Sequence, residues 1–138
     1  MPTANQFQRQ KPVHDEVDME FVEIPQTLLR LSRVALGTWA MGGWMWGGSD
    51  DHESVSTIQA ALDQGINLID TAPVYGFGQS EEVVGKALEG RRSQVVIATK
   101  VGLEWHAGKV VRNATPERIM LEVEQSLHRL RTDYIDIY

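Results

Sequence analysis

The chain has 138 residues, of which 42% are apolar and 23% charged, and this is enough for one globular domain with its own core. Its 13 basic and 19 acidic residues leave a net charge of −6, which argues against a nucleic-acid or anionic-membrane partner. The sequence contains no cysteine, which excludes disulfides, thiolate metal sites and cysteine nucleophiles. We find neither a membrane span nor a signal peptide in it and expect a cytoplasmic protein.

The first half of the chain predicts four elements. The opening segment is polar, rich in glutamine and interrupted by Pro2 and Pro12, and Asp50 with Glu53 resembles the capping box of a helix. In chain order, the predicted elements are a loose polar tail (1–18), a β-hairpin (19–31), a strand (34–36) and a helix (50–64).

The second half repeats a strand-and-helix rhythm. Ser80 is the predicted cap of one helix, and Thr115 caps another that has Pro116 at its first position. Strands are predicted over 66–70, 95–100 and 134–138. The predicted inner face of the last helix consists of Ile119, Met120, Val123, Leu127 and Leu130.

Four short apolar strands separated by three amphipathic helices indicate successive βαβ crossovers and a parallel sheet. The glycines around Gly37 lack the G-x-G-x-x-G spacing of a Rossmann phosphate loop. Chemistry at several strand ends is typical of the (β/α)8 TIM barrel, which needs roughly 250 residues. The fold class predicted is therefore α/β, with βα units over 33–138 forming a four-unit half-barrel behind the N-terminal hairpin.

Three residues at the strand ends could carry chemistry. Asp70 ends one predicted strand, Lys100 ends the next, and Tyr75 follows Asp70 by five residues. Adjacent parallel strands lie about 4.8 Å apart, so their carboxyl ends would bring an acid, an ammonium and a phenol together. A tyrosine with an ordinary pKa near 10 is a poor acid at neutral pH, and a neighbouring ammonium favours its phenolate. Taken singly, each residue is more often a cap, a surface ion pair or a packing residue.

Several segments resemble the aldo-keto reductase family. The most specific is Gly65-Ile-Asn-Leu-Ile-Asp70-Thr-Ala-Pro-Val-Tyr75-Gly76, which is followed by Gly78-x-Ser80-Glu81-Glu82-Val-Val-Gly85. The other matching segments are Leu36-Gly37-Thr38-Trp39, Ala98-Thr99-Lys100 and Asp133-Tyr-Ile-Asp-Ile-Tyr138. The resemblance covers roughly residues 19–138, in family order.

This resemblance implies NADPH-dependent reduction of aldehydes or ketones, in which Tyr75 is the general acid supported by Lys100 and Asp70. It also implies contacts of the cofactor with the first two strand ends, and a substrate pocket walled by the tryptophan-rich loop, unless those side chains only pack over the barrel mouth. The implied cofactor-binding residues are Gly37, Thr38, Trp39 and Asp70, and the implied pocket residues are Trp39, Trp44, Trp46 and Tyr75.

The family's catalytic histidine and later cofactor loops lie beyond the fourth strand, outside this sequence. We therefore expect a truncated reductase that binds NADPH weakly and is weak or inactive alone. His106 could replace the missing histidine, although a polar loop histidine is usually only solvated. No histidine pair has metal-ligand spacing, so we expect no metal site.

Other functions remain open. Exposed strand edges would favour self-association, most simply a homodimer, so a non-catalytic oligomeric scaffold or regulatory cofactor-binding module is the main alternative. A third hypothesis is that Lys100 forms a Schiff base with a carbonyl substrate, as the lysine of a barrel aldolase does. A fourth is that the native gene product is longer.

Overall fold

In a computed structural model of the protein, residues 18–138 are described, so the predicted tail lies outside them except for Asp18. The strands are β1 Phe21–Glu23, β2 Arg30–Ser32, β3 Ala35–Gly37, β4 Leu68–Asp70, β5 Val96–Ala98, β6 Leu103–His106 and β7 Lys109–Arg112. The helices are α1 Asp51–Asp63, α2 Gln79–Ala87 and α3 Pro116–Leu130, with 3-10 turns at Trp39–Gly42 and Arg92–Gln94. Within residues 18–138, no helix has the length and apolar character needed to cross a membrane.

The central sheet is parallel and has the order β3-β4-β5. In register, Gly37 of β3 pairs with Asp70 of β4, which pairs with Ala98 of β5. The antiparallel hairpin of β1 and β2 precedes the sheet. The predicted hairpin and the alternation of parallel strands with helices are therefore confirmed.

The core lies between this sheet and the helices. Ile69 of β4 and Ile97 of β5 are fully buried, as is Ile58 of α1. The rest of the buried cluster consists of Val83, Val84, Ala87, Leu88, Val95 and Leu130. Each buried valine, leucine or isoleucine side chain contributes roughly 1.5–3 kcal/mol when it is removed from water. The free energy of burial therefore fixes α2 against the sheet, beside the strand ends.

The predicted helix starts are confirmed in α1 and α3 but not in α2. The Asp50 carboxylate accepts a hydrogen bond from the Glu53 amide at 2.8 Å, and the Thr115 hydroxyl accepts one from the Arg118 amide at 3.4 Å. In α2 the cap position is Gly78, and Ser80 lies inside the helix and is fully buried. The prediction of Ser80 as the cap was wrong, because its hydroxyl bonds to the strand ends instead.

The predicted inner face of α3 was wrong at Met120. Its side chain is 63% exposed, whereas Glu122, Ser126 and Leu130 form the buried stripe at four-residue spacing. The stripe starts with two polar residues, so a search for apolar periodicity alone misplaces its centre.

The strand predicted over 134–138 was also wrong in extent, since a single parallel bridge joins Ile137 to Ala98. The Asp136 carboxylate accepts the Ile97 amide at 2.8 Å, where a strand would offer a main-chain oxygen. Asp136 also pairs with Arg92 at 2.7 Å. A side chain thus replaces part of the ladder and shortens the strand.

One hairpin was missed by the sequence reading. β6 and β7 pair antiparallel after β5, and the turn between them is formed by Ala107 and Gly108. Both residues have positive φ, 48° and 78°, as in the two-residue turns that suit the twist of a hairpin. The turn was not predicted because its first residue is Ala107, whereas asparagine or aspartate usually occupies that position.

Candidate active site

Asp70 and Lys100 meet at the carboxyl ends of two neighbouring strands. Asp70 pairs with Ala98, and Lys100 lies two residues beyond Ala98, so the two side chains share one face of the sheet. The Lys100 Nζ donates hydrogen bonds to both Asp70 carboxylate oxygens, at 2.8 and 2.9 Å. It also donates to the main-chain oxygen of Thr71 at 3.0 Å. These bonds fix the ammonium above the strand ends.

Tyr75 lies beside this ion pair because the chain turns directly after β4. The Tyr75 amide donates to the main-chain oxygen of Ala72 at 3.1 Å. The Lys100 Nζ then lies 4.8 Å from the centroid of the Tyr75 ring, within the range of a cation–π contact. The structure therefore brings together the three residues that the sequence predicts to act together.

The electrostatic environment keeps Lys100 charged. Burial lowers the pKa of Lys100, but hydrogen bonds and charge from Asp70 and Tyr75 raise this pKa by more, so that it lies above the ordinary 10.5. Lys100 is therefore an ammonium at neutral pH. Schiff-base formation needs the opposite shift, which frees the amine. This environment favours an electrostatic role for Lys100 over the aldolase reading.

Two glycines allow the Tyr75 loop to pack closely against the 3-10 turn that carries Trp39. A Cβ atom on Gly42 would lie 2.6 Å from the amide nitrogen of Gly76, and a Cβ on Gly76 would overlap the Gly42 carbonyl. Gly76 also has a φ of +64°, which favours glycine. As a result, the rings of Trp39 and Tyr75 stack with centroids 6.0 Å apart and planes at 27°.

The aromatic residues of the rim form two groups. Trp46 packs edge-on against Trp39 at 5.7 Å, next to Tyr75. Trp44, predicted in the same pocket, instead contacts Phe77 at 4.8 Å, and Phe77 contacts Trp105 of β6 at 5.7 Å. Phe77 and Trp105 were missed by the sequence reading. The alternation of apolar residues around Trp105 was the available signal.

The predicted cofactor residues divide by exposure. Gly37 is exposed, and a Cβ on it would meet nothing within 4 Å, so a flat ring can approach its backbone. Trp39 is 45% exposed and the Asp70 side chain 42%. Thr38 is fully buried, so it could support such a site only by positioning its neighbours. The exposed Gly37 backbone, Trp39 indole and Asp70 carboxylate are therefore the predicted cofactor residues that a ligand could reach.

His106 lies on β6 and pairs with the Glu104 carboxylate at 3.1 Å, with 70% of its side chain exposed. Its described contacts do not include Asp70, Tyr75 or Lys100. Within residues 18–138, no three histidine or acidic side chains come close enough to hold a metal ion.

The model of the Aldo/keto reductase family matches residues 33–138, and the chain belongs to this family. The aldo-keto reductase YhdN of Bacillus subtilis (strain 168) is 59% identical over 122 residues, which cover 87% of this chain and 37% of that protein. The solved glycerol dehydrogenase AKR11B4 from Gluconobacter oxydans is 58% identical with a TM-score of 0.75, over 83% of this chain and 37% of that chain. An aldo-keto reductase from Klebsiella pneumoniae, solved in complex with NADP and acetate, is 39% identical with a TM-score of 0.61. The aligned region covers 78% of this chain and 34% of that one.

The chain thus spans little more than a third of the length of these relatives. The solved structures that resemble the chain are (β/α)8 barrels, and the α/β arrangement described above is consistent with part of such a barrel. The predicted fold class is therefore confirmed, and the family places the protein among oxidoreductases.

Proposed function

We propose that the protein is a cytoplasmic oxidoreductase that reduces a carbonyl compound with NADPH, that Tyr75 donates the proton, and that the activity of this chain alone is at most weak. The observation that supports this most directly is the position of Lys100. Its Nζ binds both Asp70 oxygens, at 2.8 and 2.9 Å, and lies 4.8 Å from the Tyr75 ring centroid. An ion pair at an exposed rim contributes little to stability, so chemistry is a better reason for this arrangement.

Reduction of a carbonyl group requires a hydride at carbon and a proton at oxygen. When bound, the reduced nicotinamide supplies the hydride and is oxidised. The Tyr75 hydroxyl gives its proton to the carbonyl oxygen, which becomes the alcohol oxygen. The Lys100 ammonium stabilises the phenolate that remains, and Asp70 keeps that ammonium in place.

The cofactor proposal is supported by one relative and by the exposed strand end. The Klebsiella pneumoniae relative was solved with NADP. In this chain Gly37, Trp39 and Asp70 would hold the nicotinamide end, since they are the predicted cofactor residues that are accessible. NADH should be tested in parallel, because no described residue contributes a clear site for the adenosine phosphate.

The substrate proposal is a small carbonyl compound with an apolar or aromatic substituent. The stacked Trp39 and Tyr75 rings, with Trp46 at their edge, offer a flat apolar surface beside the proton donor. An aromatic aldehyde should therefore react faster than an aliphatic aldehyde of similar intrinsic reactivity. Replacing Trp39 with alanine should abolish this preference.

The test is aldehyde-dependent oxidation of NADPH by the wild-type chain and two variants. Tyr75→Phe and Lys100→Met should lower the weak wild-type rate to the rate without protein, because general acid catalysis usually contributes about 10²–10⁴-fold. The matched controls Tyr134→Phe and Lys109→Met change exposed residues elsewhere and should retain the wild-type rate. A measurable wild-type rate that is unchanged in Tyr75→Phe would contradict the proposal.

A second candidate is a non-catalytic module that associates with a further copy of itself. Among the described residues, β3 pairs with β4 on one side only, and Val34 beside it is 56% exposed. An unpaired strand edge with apolar neighbours favours association. Light scattering that shows a dimer or larger species, with cofactor binding but no turnover, would favour this candidate, and a monodisperse monomer would exclude it.

A further inference from the structure

Three buried threonine hydroxyls lie behind the candidate active site. Thr38 follows β3, Thr71 follows β4 and Thr99 follows β5. Thr38 and Thr71 are fully buried, and Thr99 is 4% exposed. Because successive strand residues point to opposite faces of the sheet, Thr71 and Thr99 point to the face opposite that of Asp70 and Lys100.

Ser80, in the first turn of α2, joins two of these strand ends. Its Oγ lies 2.7 Å from the Thr38 hydroxyl and 3.0 Å from the Thr71 hydroxyl, and it donates to the Thr38 main-chain oxygen at 2.9 Å. The Thr38 hydroxyl in turn donates to the Asp70 main-chain oxygen at 3.0 Å. Ser80 therefore contacts both Thr38, whose hydroxyl binds the Asp70 carbonyl, and Thr71, which follows Asp70 in the chain.

Glu81, the next residue, joins the third strand end. Its Oε1 accepts the Thr99 hydroxyl at 2.7 Å, and its Oε2 accepts the Arg129 Nε at 2.7 Å. Glu81 is fully buried, so Arg129 provides the charge that such a carboxylate needs. Gly85 of α2 allows α3 to pack closely enough for Arg129 to reach Glu81. A Cβ atom on Gly85 would lie 2.5 Å from the Arg129 carbonyl oxygen.

The hydrogen bonds of Ser80 and Glu81 are more specific than the packing of α2 against the sheet requires. Two adjacent residues of one helix bind the hydroxyls at three consecutive strand ends. One of those hydroxyls directly follows Asp70, and another directly precedes Lys100. The Lys100 Nζ donates to both Asp70 carboxylate oxygens and to the Thr71 carbonyl, at 2.8, 2.9 and 3.0 Å, so a displacement of either strand end would strain these three hydrogen bonds together.

We infer that Ser80 and Glu81 are positioning residues of the candidate active site, which hold the ends of β3, β4 and β5 so that Lys100 lies between Asp70 and Tyr75. The inference rests on the proposed function and deepens it. Neither residue touches the reacting groups, and both act through the threonines.

The test follows the titration of Lys100 by NMR of the full chain with isotope-labelled lysine, its signal being assigned by its loss in Lys100→Met. Asp70→Asn provides the reference for a released ammonium. Ser80→Ala and Thr99→Val remove the two connections. Thr99→Ser keeps the hydroxyl, and Ser54→Ala removes a buried serine of α1 that has no described contact with the strand ends.

The expected result is a graded shift. Asp70→Asn should move the Lys100 titration furthest to lower pH, because it removes a main cause of the raised pKa. Ser80→Ala and Thr99→Val should each give part of that shift, whereas Thr99→Ser and Ser54→Ala should titrate like wild type. Circular dichroism and thermal unfolding of each variant show that the protein measured is folded, and Thr99→Val tests the inference if Ser80→Ala does not fold.

The inference would be overturned if Ser80→Ala and Thr99→Val lost thermal stability while Lys100 titrated as in wild type. The pair would then be structural only. Failure of the proposed function would give a different result. The wild type and Tyr75→Phe would then have the same measurable reaction rate, whereas the Lys100 titrations of Ser80→Ala and Thr99→Val would still be shifted.

Discussion

The two faces of the same strand ends differ sharply. On the face toward α2, the hydroxyls of Thr38, Thr71 and Thr99 are buried and each has a hydrogen-bond partner in Ser80 or Glu81. On the other face, 46% of the Lys100 side chain and 42% of the Asp70 side chain are exposed. The difference indicates that a buried face whose hydroxyls are all hydrogen-bonded supports the geometry of the open face, which stays accessible to a ligand.

A second buried glutamate shows that burial alone does not bring a full set of hydrogen bonds. Both carboxylate oxygens of Glu81 have partners at 2.7 Å. Glu122 of α3 accepts the Gly102 amide at 3.1 Å with one oxygen, but its other oxygen has no hydrogen-bond partner among the described residues. The fully satisfied carboxylate is the one behind the candidate site.

The largest effect is expected at the buried face, from Glu81→Ala. It leaves Arg129 without its carboxylate and should lower the free energy of unfolding by about 3–5 kcal/mol. Urea denaturation measures this change. Glu82→Ala, at the exposed neighbouring position, should change the free energy of unfolding by less than about 0.5 kcal/mol. Similar losses in both variants would contradict the distinction between the faces.

The next effect concerns the contact between the Tyr75 and Trp39 loops. Gly76→Ala combines backbone strain at a φ of +64° with overlap against Gly42, and together these should cost about 2–4 kcal/mol. Gly90→Ala is the matched control, because Gly90 has a φ of +75° but open space around a Cβ. It should cost about 1–2 kcal/mol. Near-ultraviolet circular dichroism should change in Gly76→Ala alone, and equal losses of stability would show that the contact does not matter.

A smaller effect is expected from the pH dependence of stability. The pKa of Lys100 is raised in the folded protein, so its contribution is fully present below the unfolded value near 10.5 and is lost as the pH rises through the folded value. The free energy of unfolding should therefore fall less in Lys100→Met than in wild type as the pH rises above about 10.5. Burial and the charges of Glu122 and Glu81 raise the pKa of Tyr138 to about 12, and this group should titrate alike in both proteins. Identical pH profiles would contradict the assignment.

The smallest effect is expected at His106. Its pairing with Glu104 and its exposure give it no described contact with the Asp70, Tyr75 and Lys100 cluster. His106→Asn should therefore leave NADPH binding and aldehyde reduction as in wild type. A loss of turnover with unchanged binding would instead assign His106 the role of the family's histidine.

The open face of the site could be predicted from the sequence because it depends on local rules. Apolar strands that end in Asp70 and Lys100 place both residues at one sheet edge, and five residues suffice for Tyr75 to return to it. The caps Asp50 and Thr115 were predictable for the same reason, because their signals lie within one helical turn.

The buried face could not be predicted, because its partners are distant in sequence. Ser80 has the residue type of a helix cap, and only its contact with Thr38, 42 residues away, shows its position in the fold. The short strand end at Ile137 likewise depends on Asp136 reaching the Ile97 amide across 39 residues. Such long-range hydrogen bonds leave no periodic pattern.

The most direct test of the central claim is a titration of the 138-residue chain with NADPH, followed by nucleotide fluorescence, with NADH in parallel. Asp70→Asn is the test variant, and Asp63→Asn, which changes an exposed acid on α1, is its control. We predict saturable binding that is weakened in Asp70→Asn and unchanged in Asp63→Asn. Absence of saturable binding to wild type, or equal binding by wild type and Asp70→Asn, would contradict the assignment of the strand ends as a cofactor site.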